Sequence, residues 1–182
     1  FIEHQHDAPV IGVGHSMGGA CTVMAAAQRP DLFRALVLIE PAMVSRGLAM
    51  MTRLMPKIAM SRFQPVKGTL RKTDNWASRQ DFMVFIRKFH GYQRFSEEAY
   101  RDLAEHGVVE KEDGRFHLTY SKHWEAHAYS TPPYLMRHMA GLPMPIVGIR
   151  GKPSFFFADS LWHSWQKHCP NAVFLEDSRF GH

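Results

Sequence analysis

The residues with the clearest claim to chemistry lie in Val10-Ile11-Gly12-Val13-Gly14-His15-Ser16-Met17-Gly18-Gly19-Ala20. Ser16 stands between two glycines at the spacing Gly14-x-Ser16-x-Gly18, where a short apolar run gives way to an Ala-rich one. That spacing has a physical reason. A chain that turns sharply from strand to helix holds its apex residue at strained backbone angles, and side chains two positions to either side would collide. The turn lifts the serine hydroxyl to a helix N-terminus, where unpaired N–H groups and the helix dipole favour a developing oxyanion. The chemistry implied is attack on a carbonyl by Ser16, with the backbone amide of Met17 as one oxyanion donor. Two other readings compete for the same residues. One is a serine N-cap in a glycine-rich turn of some other strand-helix-strand protein. The other is a phosphate-binding loop, which the absence of a Gly-Lys-Ser/Thr ending and of G-x-G-x-x-G argues against.

The elements that must hold Ser16 are legible on both sides. The apolar run Ala8–Val13 is expected to be a buried parallel strand and Gly18–Gln28 a helix stopped by Arg29-Pro30. Ala35–Ile39 is a second apolar strand, ended by Glu40-Pro41. Strand, helix and strand within about 35 residues make a βαβ unit and imply a parallel sheet. From Ala42 the pattern turns mainly helical. Phe82, Phe85, Ile86 and Phe89 share one helical face. Ser96 is expected to cap a helix that Gly107 ends, with Phe95 and Tyr100 as a hydrophobic staple. Asp113-Gly114 marks a hairpin turn within 108–120. The strand pattern returns at Ile146–Ile149, followed by a helix over 160–168 and a last strand over 172–175. The expected organisation is an α/β core over 1–41 and 142–182 with a mainly helical insertion over 42–141.

With these elements in order, the chain resembles the α/β-hydrolase superfamily. The resemblance runs through the elbow strand, Gly14-His15-Ser16-Met17-Gly18-Gly19, the strand in RALVLIEP, the inserted helical cap, the strand in PIVGIRG and the final Phe180-Gly181-His182. It implies that His182, on the loop after the last strand, is the general base, although it is one of 12 histidines. It also implies an Asp soon after PIVGIRG, yet Gly151-Lys152-Pro153-Ser154-Phe155-Phe156-Phe157 holds no carboxylate. Glu40, at the end of the second strand, is the first candidate for the acid, since some members of the superfamily take it from there. Its alternative is a capping or salt-bridged carboxylate. Asp159 is the second candidate and reads equally as a helix N-cap, Asp177 ranks lower, and an absent acid stays open. No cofactor is implied. A second oxyanion donor would come from a loop preceding Phe1. Both ends of the chain are expected to be cut, and the chain alone to fall short of turnover that its parent performs.

Composition narrows the remaining classes. The 182 residues are 45% hydrophobic and 21% charged, as in ordinary globular proteins. The net charge of +5 comes from scattered Lys and Arg, so a nucleic-acid partner is not expected. No apolar run reaches the ~20 residues of a membrane span, so no membrane partner is expected either. Two cysteines, Cys21 in an apolar helix and Cys169, give no disulfide framework and point to a reducing, cytoplasmic setting. Cys21 is expected to be buried. His123 and His127 share a helical face without a further ligand set, so no metal is expected. Met43, Met50, Met51, Met55 and Met60, with Trp76, Phe82, Phe85, Trp124 and Tyr129, pack a core or line an apolar pocket. Arg150 binds an anionic group or makes a surface ion pair. The sequence thus leads to a serine hydrolase with Ser16, His182 and Glu40 acting on a small apolar substrate with an ester or related carbonyl bond. The alternative is a hydrolase-fold binding protein or receptor with little turnover.

Overall fold

The computed structural model describes residues 2–154 and 156–182, the Lys57 side chain apart. In chain order the elements are α1 (Ile2–Gln5), β1 (Val10–His15), α2 (Met17–Gln28), β2 (Phe33–Ile39), α3 (Arg46–Leu54), α4 (Lys57–Met60), α5 (Val66–Arg71), β3 (Asn75–Trp76), α6 (Arg79–Ile86), α7 (Glu97–His106), β4 (Val108–Glu110), β5 (Phe116–Leu118), α8 (Lys122–Ser130), α9 (Met136–Met139), β6 (Ile146–Gly151), α10 (Asp159–His168) and β7 (Val173–Asp177). They fall into two compact units, 1–50 with 132–182 and 51–131. The first unit reaches further into the expected insertion on both sides. Met43, Leu135, Met136 and Met139 are buried in the same apolar cluster as the sheet residues Leu36 and Leu38.

The first unit is built on a four-stranded parallel sheet in the order β1-β2-β6-β7. The register aligns the carboxyl ends of the strands. His15 lies opposite Ile39, Ile39 opposite Ile149, and Gly151 opposite Asp177. The loops leaving β1, β2, β6 and β7 therefore emerge from one edge, the place where open parallel sheets gather their functional groups. Below that edge Trp162, Trp165 and Phe174 pack edge to face. Gly148 gives Trp165 its room, for a Cβ there would stand 2.9 Å from the indole.

Four expectations for this unit change. The first strand, expected to be buried, leaves Ile11 and Val13 exposed, because β1 is at the end of the strand order and α2 covers one face of it. Cys21 is exposed, because α2 buries Gly19, Ala20, Val23 and Ala26 on one side and turns Cys21 away. An apolar run without polar positions does not reveal which face is covered. Arg150 is neither a surface pair nor an open anion site. It is 2% exposed, reaches Glu176 and Asp159, and lies over the Trp162 ring at 5.0 Å. Asp159 accordingly spends its carboxylate on Arg150, and the N-cap of α10 is Ala158.

The second unit joins α4–α8 to an antiparallel sheet ordered β3-β5-β4. The hairpin of β4 and β5 turns through Gly114 at φ 70°. Trp76, Phe82, Ile86, Tyr100, Ala104 and Val108 form one core, and Met60, Val66 and Ala126 another. Phe95 meets Tyr100 with ring centroids 5.7 Å apart, the staple expected at the start of α7. Phe89 lies beyond the end of α6 and is half exposed, touching Phe85 from outside the helix. Met50, Met51 and Trp124 are exposed rather than packed. No helix among the described residues is long and apolar enough to cross a membrane.

Candidate active site

The turn between β1 and α2 puts Ser16 at φ 50° and ψ −119°. For a residue with a Cβ this conformation costs about 1–3 kcal/mol and needs the surroundings to impose it. The surroundings are backbone bonds. The Ser16 N–H donates to the Ile39 carbonyl at 3.0 Å, and the Ser16 carbonyl accepts from Ala20 and Ala42 at 3.2 and 2.7 Å. Gly14 allows the closure, since a Cβ there would lie 2.7 Å from the Gly18 carbonyl oxygen and from the Gly19 backbone. Gly19 is confined too, with Pro41 2.9 Å from where its Cβ would sit. Gly18 is not, because nothing lies within 4 Å of that position. The collision expected on both sides of the serine is thus real at Gly14 and absent at Gly18, where Gly19 takes the tight contact instead.

Although Ser16 is the N-cap residue of α2, its side chain makes no capping bond. Its Oγ lies 3.1 Å from His182 Nε2. With the proton on Nδ1, His182 accepts from the Ser16 hydroxyl through Nε2 and donates to Glu40 Oε2 at 2.5 Å. The imidazole packs against two tilted rings, that of His15 with centroids 4.7 Å apart and that of Phe156 at 4.8 Å. His15 Nε2 also lies 2.8 Å from the His182 carbonyl oxygen. Burial holds His15 below the usual histidine range, and the neighbouring His182 pushes the same way. Gly151 lets the His182 loop close in, since a Cβ there would stand 2.7 Å from the Phe180 carbonyl oxygen.

Glu40 is 1% exposed and, like Ser16, has a positive φ, 40°. Its Oε1 accepts from the Gly151 amide at 2.9 Å, and its Oε2 from the Ser154 hydroxyl at 2.7 Å as well as from His182. Burial alone would push this carboxyl up. The bonds from His182, Ser154 and the Gly151 amide outweigh it and hold the group below the usual carboxylate range. The arrangement can move a proton from a hydroxyl to an imidazole and stabilise the resulting cation.

Of the sequence candidates, Ser16, His182 and Glu40 come together, and the Met17 amide follows directly as the first residue of α2. Asp159 and Asp177 do not join them. Asp159 is held low by Arg150 at 2.6 Å, and Asp177 is held at about 2 by Arg179. Four contributors were missed: His15, Gly151, Ser154 and Phe156. The available signals were the histidine inside the elbow motif and a hydroxyl in the very stretch that lacks a carboxylate. His123 and His127 belong to no cluster of three metal-binding side chains among the described residues.

The profile of the Alpha/beta hydrolase family matches residues 1–174, which include Ser16 and Glu40. Lipase LipV of Mycobacterium tuberculosis is 50% identical over 47 residues, 26% of this chain and 18% of the lipase. Abhydrolase domain-containing protein ACTT2 of Alternaria alternata is 26% identical over 133 residues, 70% of this chain and 46% of that protein. The chain thus spans less than half the length of these curated relatives. Among solved structures, E-2-(acetamidomethylene)succinate hydrolase superposes with a TM-score of 0.75 at 20% identity, covering 97% of this chain and 60% of that one. The likeness to the solved structure concerns the fold, and with the profile match it gives the assignment: the chain belongs to the Alpha/beta hydrolase family.

Proposed function

We propose that the chain carries the catalytic residues of a serine hydrolase acting on an ester or related carbonyl bond of a small apolar substrate. The observation that carries this reading is the relay from Ser16 Oγ through His182 to Glu40, at 3.1 and 2.5 Å, assembled from three separate loops. Ser16 attacks the carbonyl carbon as His182 Nε2 takes its proton, and the carbonyl electron pair moves onto oxygen beside the Met17 amide. Collapse expels the leaving group, which takes the proton from Nε2 and leaves an acyl group on Ser16. Water repeats the sequence: Nε2 removes its proton, the acyl–oxygen bond to Ser16 breaks, and Ser16 is reprotonated. Glu40 remains ionised, holding the tautomer and steadying the imidazolium. The exposed side chains of Met17, next in sequence to the nucleophile, and of Phe156, beside the His182 ring, favour an apolar acyl group. The lipase among the relatives supports an ester, and thioester, amide and carbon–carbon bonds share the same chemistry.

The rival reading, a hydrolase-fold binding protein, drew on the missing carboxylate after β6. Glu40 beside Nδ1 speaks against it. The deciding experiment is fluorophosphonate labelling of the protein and of Ser16→Ala, together with hydrolysis of p-nitrophenyl esters of increasing acyl length. Labelling confined to the serine protein, with turnover, is expected. An unlabelled, cooperatively melting protein that binds the esters without turning them over would favour the rival.

A further inference from the structure

Glu40 needs more than His182 to be stable as a buried anion. A carboxylate has about four lone-pair sites, and an ionised group cut off from water must find donors for them. The last residue of β6 and the loop after it supply two. The Gly151 amide serves Oε1 and the Ser154 hydroxyl serves Oε2. The Ser154 hydroxyl is itself oriented, since its oxygen accepts from the Phe157 amide at 3.1 Å. Its one proton is therefore left for the carboxylate, which can only accept. Most telling is which oxygen it meets: Ser154 and His182 Nδ1 bind the same atom, Oε2, at 2.7 and 2.5 Å.

We propose that Ser154 is a positioning residue for the reaction, fixing Glu40 Oε2 in line with His182 Nδ1 without touching the reacting atoms. This rests on the triad reading given above. The hydroxyl restrains the free rotation of the carboxylate about its terminal bond, which the Gly151 amide alone restrains only at the other oxygen. It also favours the ionised form, as a donor to a carboxylate does. A serine at 154 thus has a chemical task in a stretch that holds no carboxylate of its own.

The test compares Ser154→Ala, Ser154→Thr and Glu40→Gln in p-nitrophenyl ester hydrolysis across pH, with a melting curve for each. Ser154→Ala is expected to lower kcat by about tenfold, the loss of a hydrogen bond to a charged group, with KM within about twofold. Its acid limb should move to higher pH, because a carboxylate that loses a donor protonates more readily. Ser154→Thr keeps a hydroxyl and should restore both. Ser154→Ala within about twofold of wild type at every pH overturns the proposal. So does a loss with the acid limb unmoved, or one that threonine fails to restore, for either marks a loop defect. Glu40→Gln separates the levels. If it leaves turnover intact, the triad reading falls and the role of Ser154 with it. If it collapses turnover while Ser154→Ala does not, only the role of Ser154 falls.

Discussion

Three serines cap helices of the second unit, while Ser16 stands at the N-cap position of α2 at the sheet edge. Ser78, Ser96 and Ser121 have extended backbones and accept from the amides of Asp81, Ala99 and His123. Ser16 has a positive φ, caps nothing with its side chain, and directs its hydroxyl to His182. The same residue type at the same helical position closes a local cap in one region and meets a distant histidine in the other. The difference lies in what the surroundings impose. The capping serines follow the preference of their own sequence neighbourhood. Ser16 is held against it by Ile39 and Ala42, residues more than twenty positions away. Glu40 repeats the pattern at the end of the next strand, where a buried charge and a positive φ coincide.

The largest effect that would break this contrast is on turnover. Glu40→Gln removes the charge while keeping the size, and it is expected to lower kcat by about 10³–10⁴, as loss of the orienting acid does in such triads. The same variant sharpens the comparison through pH. The folded-state pKa of Glu40 is lowered, so its contribution to stability is present above the unfolded carboxylate value of about 4.3. It is lost as pH falls below that value and through the lower folded one. The difference in melting temperature between wild type and Glu40→Gln should therefore shrink with falling pH in that window. A difference that stays constant to the most acid pH would mean that Glu40 gains nothing from its donors.

The next effect is on packing. Gly14→Ala drives a methyl against the Gly18 carbonyl and the Gly19 backbone, whereas Gly18→Ala meets open space. Overpacking of this kind costs about 1–3 kcal/mol, which for a chain of this length lowers the melting temperature by about 2–4 °C per kcal/mol. Gly14→Ala should melt lower and lose labelling, and Gly18→Ala should melt within about a degree of wild type or above it, since alanine favours the helix. Equal losses would show that the whole motif is confined, rather than one side of it.

This asymmetry bears on what the sequence could reveal. The parallel sheet was legible because its strands are short apolar runs, even though β1 leaves Ile11 and Val13 exposed and β7 leaves Val173 and Leu175 so, and the turn at Asp113-Gly114 because its signal is local. The serine stood out through its place after a strand, and the final histidine only through the resemblance to the α/β-hydrolase superfamily. Glu40 could be placed at the right edge, yet its choice over Asp159 depended on Arg150, a buried cation that claims Asp159 and Glu176. Nothing in the spacing of those residues announces that pairing. Ser154 and His15 were illegible for a related reason. Their partners lie 114 and 167 residues away, and a hydroxyl or an imidazole in a loop carries no pattern of its own.

A smaller effect tests the strain itself. Ser16→Gly removes the hydroxyl but fits φ 50° without steric cost. Relief of about 1–3 kcal/mol is offset by roughly 0.5–1 kcal/mol of added unfolded-state freedom and by the lost bond to His182. The variant should lose all labelling yet melt no lower than wild type. A clear drop in melting temperature would mean that the elbow is not strained and that Ser16 sits there at no cost to stability.

The smallest effect belongs to the other region. Ser96→Ala leaves the Ala99 amide without its side-chain acceptor at the start of α7. The expected cost is about 1 kcal/mol, near the typical value for a lost cap. At the same helix end Arg87 donates to both carboxylate oxygens of Glu97, at 2.9 and 2.6 Å, and lies over the Tyr100 ring at 4.2 Å, although the Glu97 side chain is exposed. The cap and this pair thus hold the same helix end, and Ser96→Ala removes the cap alone. Hydrogen exchange in α7 is the sensitive readout, and it should quicken by about fivefold in the variant, the factor that about 1 kcal/mol gives for local opening. The rate of labelling at Ser16 should not change. Faster exchange spreading to β1 and β2, or slower labelling, would mean that the capping serine is coupled to the strained one. The contrast between local order and imposed geometry would then have to be drawn within single elements instead of between the two regions.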